Sequence, residues 1–253
     1  MFMGRKIFKN RVGEKYITNE GYEVEIVDYI DCNNVAIKFK NYNDIITVQY
    51  GHLKRGKVKN PNHLSTFGVG YFGVGEYVAK KDGRHTKIYI AWRNMLERCY
   101  CEKALEKHAC YKGVTVCEEW HNFQNFAKWF EENYNTEYME GWQLDKDILV
   151  KGNKIYSPET CCFVPAEVNG FFINGKSKRG KYLIGVRKNY GKFVANCNVN
   201  KKGKHLGYFE TEIEAFEAYK NFKEYLAKEL AKKYKYDIKL YQALLNFNVD
   251  KND

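Results

Sequence analysis

The sequence predicts an α+β chain with a small N-terminal β barrel, a central strand-loop-strand-helix (ββα) module with preceding helices, and a C-terminal three-stranded antiparallel sheet packed on one helix. Three observations carry this. Apolar and polar residues alternate across residues 22 to 50 and again across 182 to 209, as half-buried strands require. Apolar residues recur at helical spacing across 86 to 100, 122 to 133 and 211 to 226. Residues 144 to 172 read strand, turn-rich loop, strand and helix in one run. With 253 residues, 44% of them apolar and 16% aromatic, the chain is long enough for one large core or two to three small ones.

Residues 1–60 are expected to form the barrel. Tyr22, Val24 and Ile26 alternate with Glu23 and Glu25, Val35, Ile37 and Phe39 alternate with Ala36 and Lys38, and Ile46, Val48 and Tyr50 follow a turn at Asn43-Asp44. Asp31-Cys32-Asn33-Asn34 supplies the first turn, since Asn tolerates positive φ. Short strands with one apolar face commonly close on themselves. No reactive group stands out here, so the barrel reads as an accessory module that docks a protein partner or adds a nucleic-acid contact. Residues 61–83 are expected to be a Gly-rich linker. Gly68 to Gly75 contains a GxGxxG string, but no strand and helix frame it and no acidic residue follows at the distance a dinucleotide site needs.

Residues 84–175 form the central module. A helix from Thr86 to Tyr100 carries Ile88, Ala91 or Trp92, Met95, Leu96 and Cys99 on one stripe, and a second runs from Asn122, a good N-cap, to Asn133. Leu144 to Ile148 begins an extended segment, Lys151-Gly152-Asn153 and Ser157-Pro158 signal turns, and Cys161 to Val164 is an apolar strand. Pro165 suits the first turn of a helix that carries Asn169. That order would bring Asp145, Asp147 and Asn169 together, the ground plan of a metal-nuclease site. The 8 cysteines include no CxxC pair, so buried free thiols rather than structural zinc are expected. The chain shows no secretory signal and no apolar run approaching roughly 18 residues, which points to a reducing, intracellular setting and no membrane partner.

The stretch from Leu144 to Phe172 resembles the HNH-type modules common in bacteriophage genomes. Thr160-Cys161 falls on that family's Asn-Leu pair, Asn169 on its helix Asn, and Asp145-Lys146-Asp147 on its His segment. The resemblance covers roughly residues 86 to 172. No His stands near residues 144 to 148, so the family's general base is replaced by Asp145 or Lys146. The resemblance implies a catalytic segment of Asp145, Lys146 and Asp147. It also implies a divalent Mg²⁺ or Mn²⁺ held by Asp145 or Asp147 with Asn169, polarising the scissile phosphate.

Residues 176–253 form the last module. Tyr182 to Arg187, Phe193 to Asn200 and Lys204 to Phe209 read as strands, joined by turns at Asn189-Tyr190-Gly191 and Lys201-Lys202-Gly203. Thr211 and Glu214 form a capping box before a long helix, and Ile238, Tyr241, Leu244 and Leu245 predict a short helix in the tail, whose last residues are expected to fray. The open sheet face is expected to be basic. Gly185-Val186-Arg187, Gly191 to Ala195, His205 to Thr211 and Ala218-Tyr219 resemble the APETALA/ethylene-response-factor DNA-binding domain over residues 181 to 231. In that family the sheet lies in the major groove. The resemblance assigns Arg187 to a DNA-contacting Arg, Tyr190 and His205 to sheet tryptophans, and Asn196 and Asn198 to polar base or phosphate contacts. Ile184 stands where an arginine is expected. Lys188, Lys192 and Lys204 would position the duplex through phosphates.

Charge supports a polyanionic partner. The net charge is +11, with a pI of about 9.1. From Val168 to Phe209 there is no acid but ten bases: Lys176, Lys178, Arg179, Lys181, Arg187, Lys188, Lys192, Lys201, Lys202 and Lys204. The expectation is a protein acting on double-stranded DNA, with the resemblance implying the cytoplasm of a bacterial host. It would be an HNH-like homing or accessory endonuclease or, with its base lost, a non-catalytic regulator or anti-defence protein on a degenerate scaffold. A protein-interaction adaptor using the barrel is the third class.

Overall fold

The computed structural model describes residues 10–172, 181–199 and 202–253. Lys176, Lys178, Arg179 and Lys201 lie outside the described residues, as does the expected module boundary at 175 and 176. The fold is mixed α+β, in two compact units, Met1–Glu131 and Glu132–Asp253.

In the first unit, β1 (Lys15–Ile17), β2 (Glu23–Tyr29), β3 (Val35–Phe39) and β4 (Ile45–Val48) form an antiparallel meander in that order. Alternation buries Val24, Ile26, Val35, Ile37 and Phe39 on one face. The expected barrel does not close, because β1 and β4 are the two edges of an open sheet. The chain leaves β4 after Val48 and enters a short helix, α1 (Tyr50–Lys54), so Tyr50 is helical rather than extended. Leu53 of that helix joins the apolar face, which a closing strand would otherwise cover.

Next come a two-stranded hairpin, β5 (Lys80–Lys81) and β6 (Arg84–His85), then α2 (Lys87–Tyr100), α3 (Glu102–Lys107), the segment β7 (Thr115–Val116) and α4 (Phe123–Asn133). Thr86 caps α2 by accepting from the Tyr89 N–H at 3.2 Å. Trp92, Met95, Leu96 and Cys99 form its buried stripe. The Trp92 indole N–H donates to the Trp120 carbonyl at 2.8 Å, and Trp92 meets Phe123 edge to face at 5.3 Å.

The stretch read as a linker is packed against this helical core. Phe72 stacks on Phe123 at 4.8 Å, and Tyr71 exchanges backbone hydrogen bonds of 2.9 Å with His121 and Phe123. The buried Gln124 amide donates to the carbonyls of Phe72 and Tyr77 and accepts from the Tyr77 N–H. A Cβ at Gly73 would lie 2.1 Å from Asn122 Oδ1, and one at Gly75 would lie 2.4 Å from Gln124 Oε1. Gly73 sits at φ +72°, which favours glycine, and at both positions the side chains at the start of α4 leave little room for a Cβ.

In the second unit, β8 (Gln143–Asp145) pairs antiparallel with β10 (Cys162–Val164), and the loop between them contains the short β9 (Ile155–Tyr156). After Pro165 comes α5 (Ala166–Phe172). Then β11 (Val186–Asn189), β12 (Lys192–Val199) and β13 (Lys202–Phe209) form an antiparallel sheet with β12 in the middle. Two helices follow, α6 (Glu212–Lys233) and α7 (Ile238–Leu245). The Thr211–Glu214 capping box forms as the sequence predicts.

The 22 residues of α6 span about 33 Å at 1.5 Å per residue. Its first half packs Ala215, Phe216 and Tyr219 against Val186, Ala195 and Cys197 of the sheet. Its last turns, with α7, pack Ala231, Tyr234, Leu240 and Leu244 against Ile148, Cys162, Val164 and Val168. Glu167 accepts hydrogen bonds from Lys233 and Tyr234, joining α5 to the end of α6. The ββα stretch and the C-terminal helices therefore share one core. The tail is not frayed as far as Val249, which is 2% exposed and donates its N–H to Glu224 at 3.1 Å.

Candidate functional site

The carboxylate loop follows directly from β8. Asp145 Oδ1 accepts the N–H groups of Asp147 and Ile148, both at 2.9 Å, which folds the chain sharply back after the strand. Lys146 is 8% exposed. Its ammonium lies 3.0 Å from Asp147 Oδ2 and 3.0 Å from the Asn153 carbonyl. The Asn153 amide donates to the carbonyls of Lys146 and Ile155, both at 2.7 Å, and so clamps the loop across its base. Burial, then the nearby Asp147 charge, push the Asp145 carboxyl up to about 6, against the pull of the two N–H groups it accepts.

Asn169 projects from α5 toward β8, but its amide donates to Gln143 Oε1 at 2.7 Å rather than to either aspartate. Asp145 and Asp147 come together; Asn169 is engaged two residues away along the strand. Oxygen donors of this kind suit Mg²⁺ or Mn²⁺. As found, however, a lysine ammonium holds the place beside Asp147, and the third oxygen donor is turned to Gln143, so these side chains do not complete a metal site. Among the described residues, no group of three or more His, Cys, Asp or Glu side chains is placed to hold a metal ion. Asp147 also borders a cleft of about 880 Å³ whose walls include Lys151, Phe172, Lys239 and Asn246.

The sheet offers a different surface. Cross-strand partners share a face. Phe193, Ala195 and Cys197 of β12 pack on the helix side, so Val194, Asn196 and Asn198 point the other way with their partners Arg187, Tyr208, His205 and Gly203. Arg187, Asn198, His205 and Tyr208 are exposed, Asn196 is half-buried, and Val194, between Arg187 and Tyr208, is fully buried. The His205 and Tyr208 rings lie 4.9 Å apart.

That pairing depends on a bulge. Ala195 pairs with Gly207 and Asn196 with His205, leaving Leu206 as the extra residue on β13. Unbroken alternation would place Lys204 beside Tyr208. With the bulge, Lys204 pairs with Cys197, and its ammonium lies 4.5 Å from the Phe222 ring of α6. Lys188 likewise pairs with Phe193 and lies 5.4 Å from its ring centroid. The expected single basic face is thus corrected: among the described strand residues, the open face carries Arg187 and Lys192, and Lys192 pairs with Glu210 at 2.7 Å.

The hairpin at its end matches the sequence expectation. Tyr190 (φ +47°) and Gly191 (φ +85°) form a two-residue turn, with the Tyr190 ring 98% exposed. Of the expected second turn, Lys202 and Gly203 pair within β13 instead, and Lys201 lies outside the described residues.

No family model, curated protein or solved structure matches this chain.

Sequence reading missed Gln143 and Asn153. Gln143 carries no motif signal, and its role depends on the pairing that sets it opposite Val164 near α5. Asn153, beside Gly152 (φ +78°), was legible as a turn residue but not as the clamp of the loop.

Proposed function

We propose that this protein binds duplex DNA through the open face of its C-terminal sheet. The observation that carries the reading is the bulged register. It gathers one guanidinium, two carboxamides and two stackable rings, from Arg187, Asn196, Asn198, His205 and Tyr208, on one face of a rigid sheet backed by α6. Arg and Asn are the side chains that pair bidentately with guanine and adenine edges, and a twisted sheet fits the major groove. The net charge of +11 supplies the attraction. Tyr190 at the hairpin tip and Lys192 beside it lie where backbone contacts would form. In this reading Lys188 and Lys204 act from the rim at most. Among the described residues, no helix is long and apolar enough to cross a membrane. The test is an anisotropy titration of the full chain against labelled duplex DNA over a range of salt concentrations. Saturable, salt-sensitive binding is expected, and absence of binding at low salt removes the reading.

A second reading, cleavage of the bound DNA by an HNH-like centre at Asp145 and Asp147, is favoured by the strand-loop-strand-helix frame and the adjacent carboxylates. Incubation with supercoiled plasmid and Mg²⁺ or Mn²⁺ decides it. Nicking that a chelator abolishes supports the enzyme; intact plasmid with a retained gel shift leaves a binder.

A further inference from the structure

The first unit carries a second concentration of positive charge that the acid-free run overshadowed in the sequence. β5 and β6 pair Lys80 with His85 and Lys81 with Arg84. The turn between them is Asp82-Gly83, with φ +50° and +75°, the two-residue geometry that this residue pair favours. The base of the hairpin is anchored on both strands. The Thr86 N–H donates to the Ala79 carbonyl at 3.0 Å, the Thr86 hydroxyl to Val78 at 3.2 Å, and the His85 ring stacks on Tyr89 of α2 at 4.9 Å. The hairpin is a short, rigid projection seated on the start of a 14-residue helix.

Its charges are mostly of one sign, Asp82 in the turn being the one acid within the hairpin. Lys80, Lys81, Arg84 and Lys87 are all exposed. Among the described residues, no carboxylate forms an ion pair with Lys80, Lys81 or Arg84, whereas Lys15, Lys40, Lys192 and Lys233 each have at least one. The first turn of α2 holds no acidic residue and begins with Lys87, at the positive end of the helix dipole, where an anion is favoured and a cation is not. Lysines scattered on a surface are usually only solvated. Here they are clustered, held by a fixed backbone and placed where a negative ligand relieves the repulsion, a local conflict of the kind that functional sites retain.

We propose that the Lys80–His85 hairpin is a second, sequence-independent grip on the phosphate backbone of duplex DNA. This rests on the DNA-binding reading of the C-terminal sheet and gives the chain a second attachment point for duplex DNA. Lys81 and Arg84 share one face of the hairpin beside the turn and make the principal contacts.

The test compares the full chain with a Lys80→Ala, Lys81→Ala, Arg84→Ala triple variant and with Lys81→Gln, Arg84→Gln, on mixed-sequence duplexes and on phosphatidylserine vesicles. Circular dichroism checks that both variants stay folded. With about 0.9 unit of slope per phosphate contact, the plot of log affinity against log salt should flatten by about 2–3 units for the triple variant and by about 2 for the double. Every duplex should weaken alike. Folded variants that keep the wild-type slope overturn the hairpin grip and leave the sheet reading standing. A wild-type chain that binds no duplex removes both. Loss of vesicle binding with DNA binding intact overturns the proposal in favour of an anionic membrane surface.

Discussion

Replacing Asp145 by Asn probes the carboxylate loop most sharply, because the two side chains have the same shape and both accept hydrogen bonds. The Asn Oδ1 can still receive the Asp147 and Ile148 N–H groups, so the fold of the loop is kept and only the charge is lost. In the folded chain the Asp145 carboxyl is raised from 3.8 to about 6. A carboxyl with a raised folded pKa binds its proton more tightly when folded, so stability falls as pH climbs from the unfolded pKa through the folded one and stays lower above it. At about 1.4 kcal/mol per unit, the burden at neutral pH is about 1–3 kcal/mol. Urea unfolding followed across the range from mildly acidic to neutral pH should show the wild type losing that amount. The Asp145→Asn variant should lack this slope and be the more stable protein at neutral pH. A divalent cation shared by Asp145 and Asp147 would restore wild-type stability without affecting the variant, so the same titration with Mn²⁺ reads the metal directly. A variant that is less stable than wild type at neutral pH, with the same pH slope, refutes the argument.

Three further outcomes follow from packing. Gly185 sits at φ +78°, and a Cβ there would lie 2.1 Å from Tyr219 Cδ2, so Gly185→Ala should destabilise the second unit by about 2–5 kcal/mol in chemical denaturation, the combined scale of left-handed strain and overpacking. Gln124→Ala should cost about 1–3 kcal/mol, since it leaves the Tyr77 N–H and the Phe72 and Tyr77 carbonyls without their side-chain partner. A chain beginning at Arg84 should fail to give a cooperative first unit, because it lacks the Phe72 and Tyr71 contacts with Phe123; a sharp thermal transition in that fragment would count against the packed reading of residues 61–83.

Local signals were legible where chemistry is local. The Thr211–Glu214 box and the Met95, Leu96 and Cys99 stripe were written in residue types at fixed spacings, and both helices lie within a residue or two of where those predict. So was the strand-loop-strand-helix order at 143–172. What failed to show was set by distant partners. The glycines at 73 and 75 look like flexible punctuation until Asn122 and Gln124 are placed against them. Tyr50 continues the strand alternation but starts a helix, because Leu53 is needed over the sheet. The face occupied by Lys204 turned on one extra residue, Leu206, which no count of alternating residues can reveal. The Asn169 amide reaches Gln143, a partner 26 positions away.

The claim that the open sheet face meets DNA is tested most directly by comparing Arg187→Ala with Lys204→Ala in duplex-binding titrations of the full chain. Arg187 lies on the open face and Lys204 on the helix side, although the sequence assigns each a DNA contact, Arg187 as a DNA-contacting Arg and Lys204 through phosphates. At a preferred site, Arg187→Ala should lose about 1–3 kcal/mol, roughly five- to a hundred-and-sixty-fold in affinity, and relax the sequence preference, while Lys204→Ala should stay within about threefold of wild type. Equal losses for the two variants, or an Arg187→Ala protein that binds every duplex as the wild type does, would contradict the assignment.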